Sequence, residues 1–408
     1  MSSPLVLRGA RIRDGSVADV RIEGDAIAAV GEVVAQPGDH ELDVAGYVLL
    51  PAPAEPHAHL DKALTADLIP NPKGDLLSAI SAVMAHHATL THEDVERRAT
   101  AAALEALAHG ATALRTHVDV GGDVGVLGVE ALVKVREQLR PLLDLQLCAL
   151  VASPTTGPDG AGNRAALRTA LELGVDVGGG CPHIDPDPHG CLEVCLAAAA
   201  DFGRPLDLHT DETLDEAVLG LRDYARLVQE TGFPWGATAS HCVSLGVQHP
   251  DVAGAVAKEV AAAGIGVVAL PQTNLFLQGR DSVSAPPRGL TALRVLLDAG
   301  VTVAGGADNV RDPFNSMGRN DPLETAALLV MAGHLTPGEA YDAVSSGARA
   351  VLGLPRVVVA PGSPAELLAI RATSLGDAIA SASQDRIVIH AGRIVARTTV
   401  ERHYYPTP

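Results

Sequence analysis

Aromatic side chains are scarce in this chain of 408 residues: Phe, Tyr and Trp together make up 2%, with a single Trp. Hydrophobic residues still account for 47% of the sequence, so small aliphatic side chains must fill the core. Such packing suits many short helices against a parallel sheet. The length exceeds what one small core needs and fits a large catalytic domain with an accessory one.

Basic residues are also in the minority: the chain has 30 Lys and Arg but 49 Asp and Glu, which gives a formal net charge of −19. That balance argues against nucleic acid or an anionic membrane surface as a partner. No window of about 18 uninterrupted apolar residues occurs, so we expect no membrane-spanning segment. The first residues lack the basic region and long apolar core of a signal peptide, and we expect a cytoplasmic protein.

Cysteine is rare too, and the five cysteines show no repeated C-x-x-C spacing. An odd number of cysteines in a long chain does not indicate a disulfide framework. We therefore expect reduced thiols, as in a cytosolic protein. The cysteines are Cys148, Cys181, Cys191, Cys195 and Cys242.

Short segments of mixed polarity at both ends of the chain predict β-structure. Near the N-terminus, strands are predicted within residues 5–50, with turns at Asp14-Gly15 and Gly24-Asp25. Near the other end, strands are predicted at 366–370, 385–390 and 393–396. We predict that residues 1–50 and 355–408 form one small β-sandwich-like domain, with a larger unit inserted between them.

That larger unit, residues 51–354, alternates predicted strands with predicted helices. Eight such β–α units predict a (β/α)8 barrel. A doubly wound sheet is the alternative, but no G-x-G-x-x-G follows the first strand. The strands are predicted at 48–54, 111–120, 143–152, 175–181, 205–210, 236–242, 264–270 and 301–305. The helices are predicted at 75–86, 91–109, 126–139, 164–173, 192–202, 217–231, 251–263 and 290–299.

The pair His57 and His59 follows an apolar run at 47–50 that we predict to belong to the first barrel strand. Positions i and i+2 of an extended strand point to the same side, so both imidazoles would emerge together where that strand ends. Converging imidazoles suit a divalent ion of the zinc or iron type. The alternative is two ordinary loop histidines in a chain that holds 16.

A barrel concentrates its chemistry at the C-terminal ends of its strands and on the loops that follow. His209 and Glu212 occur where the fifth predicted strand ends, His241 near the end of the sixth, and Asp308 after the eighth. These side chains, together with the histidine pair, lie where the fold predicts an active site. The barrel prediction and the pattern of polar residues therefore support each other.

Six stretches of this chain are similar to motifs of the amidohydrolase superfamily and, more narrowly, of bacterial cytosine deaminase and its relatives. Two-metal members of that superfamily carry a carboxylated lysine after the fourth strand, whereas residues 175–181 contain no lysine. That difference favours one metal ion. The stretches are Glu55-Pro56-His57-Ala58-His59-Leu60-Asp61, Arg115-Thr116-His117-Val118-Asp119-Val120, His209-Thr210-Asp211-Glu212, Thr238-Ala239-Ser240-His241, Leu277-Gln278-Gly279-Arg280 and Asp308-Asn309-Val310-Arg311-Asp312-Pro313.

The resemblance implies one divalent ion, zinc or iron, with a position left open for water. Its ligands would be His57, His59, His209 and Asp308. The metal lowers the pKa of the water, and Asp308 takes the proton. His241 would orient the water or stabilise the tetrahedral oxygen, and Glu212 would carry a proton to the ring nitrogen and the leaving amine. Three further histidines would not bind the metal: His117 would shape the site, and the pair His86-His87 would lie at the surface.

Departures from cytosine deaminase bear on the substrate. Where that enzyme has a glutamine that reads the pyrimidine amide, this chain has Thr155, so we expect poor binding of cytosine. Lys62 occurs at the same place in relatives that hydrolyse N-isopropylammelide and would favour an oxo group, although an outward-pointing structural lysine is the alternative. Asn309 replaces a second aspartate, and Phe314 stands where an aromatic residue lies beside the substrate.

These features together predict a metal-dependent hydrolytic deaminase. It would remove ammonia or a small amine from a nitrogen heterocycle such as a pyrimidine or triazine, and not from cytosine itself. One alternative is a cyclic amide hydrolase of the same superfamily, in which the amine stays attached to the product. Another is a non-enzymatic metal-binding relative, but neither Glu212 nor His241 is needed merely to hold an ion. We expect a small-molecule substrate as partner, and a homo-oligomer.

Overall fold

The structure, a computed structural model, describes residues 3–405, and both ends of that range contribute strands to one mixed sheet. Its strands are β1 (Leu5–Ile12), β2 (Val17–Glu23), β3 (Ala26–Gly31), β4 (His40–Asp43), β5 (Tyr47–Pro51), β14 (Leu367–Arg371), β15 (Arg386–His390) and β16 (Arg393–Thr398). They follow the order β16-β15-β14-β5-β1-β2-β3, with β4 paired to β1. Because β14 runs antiparallel to β5, with Leu368 opposite Leu50, the two ends of the chain form one β domain, as predicted. The boundaries 1–50 and 355–408 stay a prediction.

The chain between those ends forms a second sheet of eight parallel strands. Its strands are β6 (Ala54–Ala58), β7 (Ala113–Val120), β8 (Asp144–Val151), β9 (Val177–Gly180), β10 (Leu206–Thr210), β11 (Ala237–His241), β12 (Gly266–Ala269) and β13 (Val303–Gly305). Each strand pairs with the next along the chain. A parallel bridge between Ala58 and Asp308 brings the first and last strands together, with the Asp308 N–H donating to the His57 carbonyl at 3.0 Å. The prediction of a (β/α)8 barrel is confirmed, and the boundaries 51–354 stay a prediction.

The predicted first barrel strand at 48–54 is wrong. Residues 47–51 belong to β5 in the other sheet, and the barrel strand begins only at Ala54. The apolar run is continuous because β5 lies between two cores: Val48 and Leu50 join the large barrel core, whereas Tyr47 and Leu49 join the core of the β domain. A strand buried on both faces has no polar alternation, so its pattern does not show which sheet it joins.

Helices alternate with the barrel strands and cover them. Their cores are built from small side chains, as the scarcity of aromatics predicts: Ala99, Ala102, Ala103 and Ala106 line the buried face of the second helix. No helix of the described chain is long and apolar enough to cross a membrane. The α-helices are α1 (Leu76–His86), α2 (His92–Ala108), α3 (Leu127–Leu139), α4 (Ala161–Glu172), α5 (Pro188–Asp201), α6 (Gly220–Thr231), α7 (Pro250–Ala262), α8 (Pro271–Leu277), α9 (Leu293–Asp298), α10 (Pro322–Met331), α11 (Pro337–Asp342), α12 (Ala348–Val351) and α13 (Leu375–Ser381).

Candidate active site

The histidine pair stands at the C-terminal end of β6, with His57 inside the strand and His59 just after it. The buried Glu55 carboxylate accepts from the backbone N–H of His57 at 3.0 Å and from that of Ala307 at 2.9 Å. Burial raises the pKa of Glu55 to about 8, and these backbone donors oppose the shift. Glu55 therefore ties β6 to the loop after β13, a structural role that its motif did not reveal.

Four side chains from three parts of the barrel converge on one buried point. The Nε2 atom of His209 lies 3.2 Å from Nε2 of both His57 and His59. The Asp308 Oδ1 atom lies 3.3 Å from His59 Nε2 and 3.7 Å from His57 Nε2. The structure thus brings together the four residues that we predicted as metal ligands.

A hydrogen-bond relay determines which nitrogen of His57 faces this point. The Ser240 hydroxyl donates to Asp207 Oδ1 at 2.9 Å, so its oxygen is left to accept from His57 Nδ1, also at 2.9 Å. Nδ1 therefore carries the proton, and Nε2 faces its neighbours with a bare lone pair. Asp207 is in turn held by the Arg115 guanidinium at 2.8 Å.

The charges at the centre fit a divalent cation. Burial lowers the pKa of His57, His59 and His209 well below the ordinary value. The crowding of the histidines lowers it further, as does the Lys62 ammonium for His59 and His209, which favours neutral imidazoles. Burial raises the pKa of Asp308, and both of its carboxylate oxygens lack a hydrogen-bond donor within the described chain. Three imidazole nitrogens and a carboxylate that meet at 3.2–3.7 Å form a donor set of the kind that binds a divalent cation.

Asp207 and Ser240 are functional candidates that the sequence analysis did not single out. Burial would raise the pKa of Asp207, but the opposing effects of His117 and Arg115 prevail and lower it to about 2. The available signal was a charged residue between the two leucines of the predicted strand. Ser240 gave no such signal, because serine is common in buried strands of small residues.

His117 packs behind the centre, as part of the wall that we predicted it to form. Its ring stacks on that of His57, with the centroids 3.9 Å apart and the planes at 26°. Its Nε2 lies 3.6 Å from Asp207 Oδ2. His57, His117 and Asp207 could also form a metal-binding group, so whether His117 stays outside the ligand set remains a prediction.

Glu212 and His241 form the next layer, linked by an asparagine. The Asn274 amide donates to His241 Nδ1 at 3.1 Å and lies 3.4 Å from Glu212 Oε1. Because Nδ1 accepts, the proton of His241 is on Nε2, which lies 3.9 Å from Asp308 Oδ2. Burial lowers the pKa of His241 to about 4, so the ring is neutral and still presents one N–H to the centre.

Glu212 is placed to hold a proton. Its side chain is buried, and burial together with the nearby Asp308 raises its pKa well above the ordinary value. The carboxyl lies 3.4 Å from His241 Nδ1 and lines the same cavity as Asp308. Asn274 lies in α8, the helix that follows β12, and the sequence analysis did not assign it a role.

A cavity of about 250 Å³ opens over this centre. Lys62, Asn309 and Phe314 all line it, as expected of residues that contact a substrate. The two amide atoms of Asn309 are already engaged, because Oδ1 accepts from Thr273 at 3.1 Å and Nδ2 donates to Asp312 at 2.8 Å. Asn309 therefore shapes the cavity wall more than it offers free hydrogen bonds.

Lys62 points into the cavity, so the alternative of an outward-pointing lysine is wrong. Its side chain is only 6% exposed, and Nζ lies 2.9 Å from Asp119 and 3.3 Å from Asp61. Burial lowers the pKa of Lys62, but these carboxylates outweigh that effect and raise it, which keeps the ammonium charged. The same Nζ lies 3.2 Å from His59 Nδ1.

Thr155 is not among the residues that line the cavity, which corrects its expected contact with substrate. Its hydroxyl donates to the buried Asp185 carboxylate at 3.0 Å, and its backbone N–H donates to the same oxygen at 2.8 Å. Ser153 lines the cavity instead. Asp185, which the sequence did not flag, turns the threonine away from the cavity.

His87 is a second correction, because it lines the cavity instead of lying at the surface. Its side chain is 11% exposed, and Nε2 lies 3.7 Å from Asp119 Oδ2. The helical pattern of residues 75–86 suggested an outer face, but the helix ends at His86 and a 3₁₀ turn follows. His87 keeps helical backbone angles and continues the spacing of Leu76, Ile80 and Val83, so it lies on the face of the helix that meets the cavity.

Comparison with known proteins places the chain among similar enzymes. A family model described as "Amidohydrolase family" matches residues 73–396. Pterin deaminase from Rhizobium rhizogenes is 33% identical over 392 residues, which cover 95% of this chain and 87% of the relative.

Two solved structures are similar along nearly their whole length. 5-Methylcytosine deaminase from Klebsiella pneumoniae, bound to 5-fluorocytosine, superposes with a TM-score of 0.88 at 26% identity and covers 98% of this chain and 99% of its own. N-isopropylammelide isopropylaminohydrolase from Burkholderia multivorans superposes with a TM-score of 0.85 at 30% identity and covers 97% and 98%.

Proposed function

We propose, since the chain belongs to the amidohydrolase family, that it is a metal-dependent deaminase that hydrolyses a C–N bond of a nitrogen heterocycle. The leaving group would be ammonia or a small amine. The observation that carries the proposal is the approach of three imidazole nitrogens to the buried Asp308 carboxylate, beside the buried Glu212, whose pKa burial raises. Such a site attracts a cation and supplies a proton, and hydrolytic deamination needs both.

His57, His59, His209 and Asp308 would hold one divalent ion. Neutral imidazoles with a carboxylate are ligands of zinc and iron alike, so the donor set does not choose between them. When bound, the ion would act as a Lewis acid that lowers the pKa of a water in its open position. Elemental analysis of purified protein measures both the identity and the number of ions per chain.

The residues of the chain would then manage the protons. Asp308 has two unpartnered oxygens and can accept the proton of the attacking water. Glu212 can donate a proton to a ring nitrogen, which makes the neighbouring carbon electrophilic. Its carboxylate can then take the second proton of the attacking water and pass it to the leaving amine, and the proton held by Asp308 restores Glu212 for the next turnover. The Nε2–H of His241 faces the same point and can donate to the oxygen that becomes negative during attack.

Lys62 supports a substrate with an oxo group. If His59 binds a cation through Nε2, its Nδ1 carries the proton and cannot accept from the Lys62 ammonium 3.2 Å away. Two of the ammonium hydrogens are directed at Asp61 and Asp119, which leaves the third without an acceptor. A carbonyl oxygen of the substrate would satisfy that hydrogen. Pterin, methylcytosine and N-isopropylammelide, the compounds in the relatives' names, all carry such an oxygen on a nitrogen ring.

Cytosine itself would be a poor substrate. Thr155, which stands where cytosine deaminase has a glutamine, donates to Asp185 and does not face the cavity, so it does not decide cytosine binding. The proposal still stands, because no glutamine lines the cavity within the described chain, and Ser153 is too short to read both edges of an amide.

An ammonia-release screen with metal-replete protein tests the function. The panel would contain aminopyrimidines, aminotriazines, pterins and creatinine-like rings, with alkylamine release measured for the N-alkyl triazines. We expect release from at least one ring that carries an oxo group, and cytosine turnover far below that of the best compound. Ring opening without free ammonia would support the cyclic amide hydrolase instead, and robust cytosine turnover would refute the proposed selectivity.

We also propose that the protein is a cytoplasmic homo-oligomer with one ion per chain. The oligomeric state follows from light scattering on protein eluting from a sizing column. A mass equal to one chain of 41.8 kDa would refute this part of the proposal without affecting the chemistry.

A further inference from the structure

We propose that helix α1 is the element that selects the substrate, and that it selects a fused bicyclic aminopyrimidinone over a single ring. This inference rests on the proposed deaminase function. It concerns the part of the cavity wall that is lined by aliphatic side chains and not by metal-ligand residues.

One stripe of α1 faces the cavity. Leu76, Ile80, Val83 and Met84 all line it, and His87 continues the stripe just beyond the helix. Their spacing of four, seven and eight residues is that of one helical face. The neighbouring Leu77 is 68% exposed and does not line the cavity. The cavity therefore has a continuous apolar wall from a single short helix.

This wall lacks the protein partners that other helices have. Helix α2 packs against α3, and its inward alanines are fully buried, whereas the principal neighbour of α1 within the described chain is the 3₁₀ turn that follows it. Only Ala79 and Val83 of α1 are buried, and Leu76 and Ile80 stay half-exposed toward the cavity. Apolar surface left open in a cavity gains stability when a ligand covers it.

The helix is nevertheless held in place at its N-terminal end. Asn71 donates to the Pro313 carbonyl at 3.0 Å, which joins the segment before α1 to the loop after β13. The Arg280 guanidinium lies over the Phe276 ring at 4.4 Å and fills the space beside Gly74. Gly74 has a left-handed backbone with φ at +69°, and a side-chain carbon there would lie 2.3 Å from that guanidinium, so both features favour glycine. These contacts position the wall before any ligand arrives.

The geometry points to a second ring on the substrate. The reacting ring must lie within reach of Glu212 and Asp308, and the same cavity extends to the aliphatic wall of α1. Phe314 also lines the cavity and offers a flat face, which suits a planar ring more than a branched alkyl group. A ring fused to the reacting aminopyrimidinone would cover Ile80 and Met84, whereas a single ring would leave them exposed.

The test uses isocytosine, guanine and pterin, which share one aminopyrimidinone ring and differ only in the ring fused to it. Their kcat/KM values would be measured with wild-type enzyme, and their dissociation constants with the Glu212→Gln variant, so that binding is read independently of turnover. We expect pterin to be favoured over isocytosine by about tenfold or more, since burying a few methylene-sized groups has that effect.

Two variants of α1 locate the effect. Ile80→Ala removes part of the wall and should lower kcat/KM for pterin on the order of tenfold while changing that for isocytosine less than about twofold. Leu77→Ala, on the exposed face of the same helix, should change neither. The melting temperature and metal content of Ile80→Ala should match those of wild type, which excludes loss of folding as the cause.

The inference is overturned if isocytosine binds as tightly as pterin, if none of the three compounds binds, or if Ile80→Ala weakens pterin and isocytosine equally. In the first case, release of ammonia from isocytosine would leave the proposed function intact. If the whole panel releases no ammonia while pterin still binds in an Ile80-dependent way, then the deaminase proposal fails and the recognition surface stands as a binding site only.

Discussion

The two walls of the active-site cavity are built in opposite ways. One wall, the histidine wall, consists of His57, His59, His209 and Asp308, which lie in or just after barrel strands. Hydrogen bonds from Ser240 and Asp207 fix the orientation of His57. The α1 wall is aliphatic, packs lightly against the barrel and is held mainly by the segment before it. If α1 selects the substrate as proposed, this fold separates chemistry from selection: barrel strands hold the reacting groups, and a connecting helix recognises the rest of the substrate.

The largest effect is expected at the histidine wall. His209→Ala removes the nitrogen that lies 3.2 Å from both His57 and His59, so metal and activity should be lost together. Elemental analysis and an ammonia assay on the same sample measure this. His189→Ala, which changes an exposed histidine, is the control and should retain both. A His209→Ala protein that keeps its full metal content would remove this residue from the ligand set.

Glu212→Gln should separate chemistry from metal binding. The amide keeps the size of the side chain but carries no transferable proton, so kcat should fall by about 10²–10⁴-fold while metal content stays unchanged. Melting temperature, metal content and kcat would be measured on one preparation, with the exposed Glu216→Gln as the control. A stable, metal-replete Gln variant with near wild-type turnover would contradict a proton shuttle at Glu212.

Ser240→Ala tests whether the relay behind the histidine wall matters. Without the hydroxyl, His57 Nδ1 loses its partner and Asp207 loses a donor, so metal affinity should fall by about 10–100-fold. Competition with a chromogenic chelator measures the affinity, and the exposed Ser81→Ala is the control. Unchanged affinity would mean that the strands alone orient His57.

The smallest effect on activity is expected outside the barrel, where the β domain should carry no catalytic group. Arg386 of β15 is fully buried and donates to Asp321, the N-cap residue of α10, at 2.7 and 3.0 Å. Arg386→Met leaves that carboxylate unpaired and should lower the free energy of unfolding by about 3–5 kcal/mol, yet leave kcat at 20 °C within about twofold. Chemical denaturation and turnover measure both, with the exposed Arg393→Met as the control. A large loss of kcat in folded Arg386→Met protein would contradict the division of roles.

Much of the barrel could be predicted because most of its strands are short apolar runs with clear boundaries. Strands β7 to β13 lie within the predicted segments, since each apolar run is bounded by helical patterns and turns. The first strand failed because β5 is buried on both faces and therefore looks like a barrel strand. Helices α10 to α13 went unpredicted because the expected β–α units ended with the eighth strand.

The site was predictable where spacing along one strand decides geometry, and unpredictable where distant segments meet. The positions of His57 and His59 followed from a two-residue period. Thr155 turned away because Asp185, thirty residues later, accepts its hydroxyl. His87 faces the cavity because it continues the helical spacing of Ile80 and Val83, and the sequence does not show which face of that helix meets the barrel.

The central claim, that one metal ion held by the histidine wall drives hydrolysis, is tested most directly by titration of metal-free protein. The rate of amine release from the best compound of the screen would be measured as zinc or ferrous iron is added. We predict that activity rises from near zero and reaches its plateau at one equivalent per chain, and that His209→Ala stays inactive throughout. Full activity without metal, or a plateau only at two equivalents, would contradict the account.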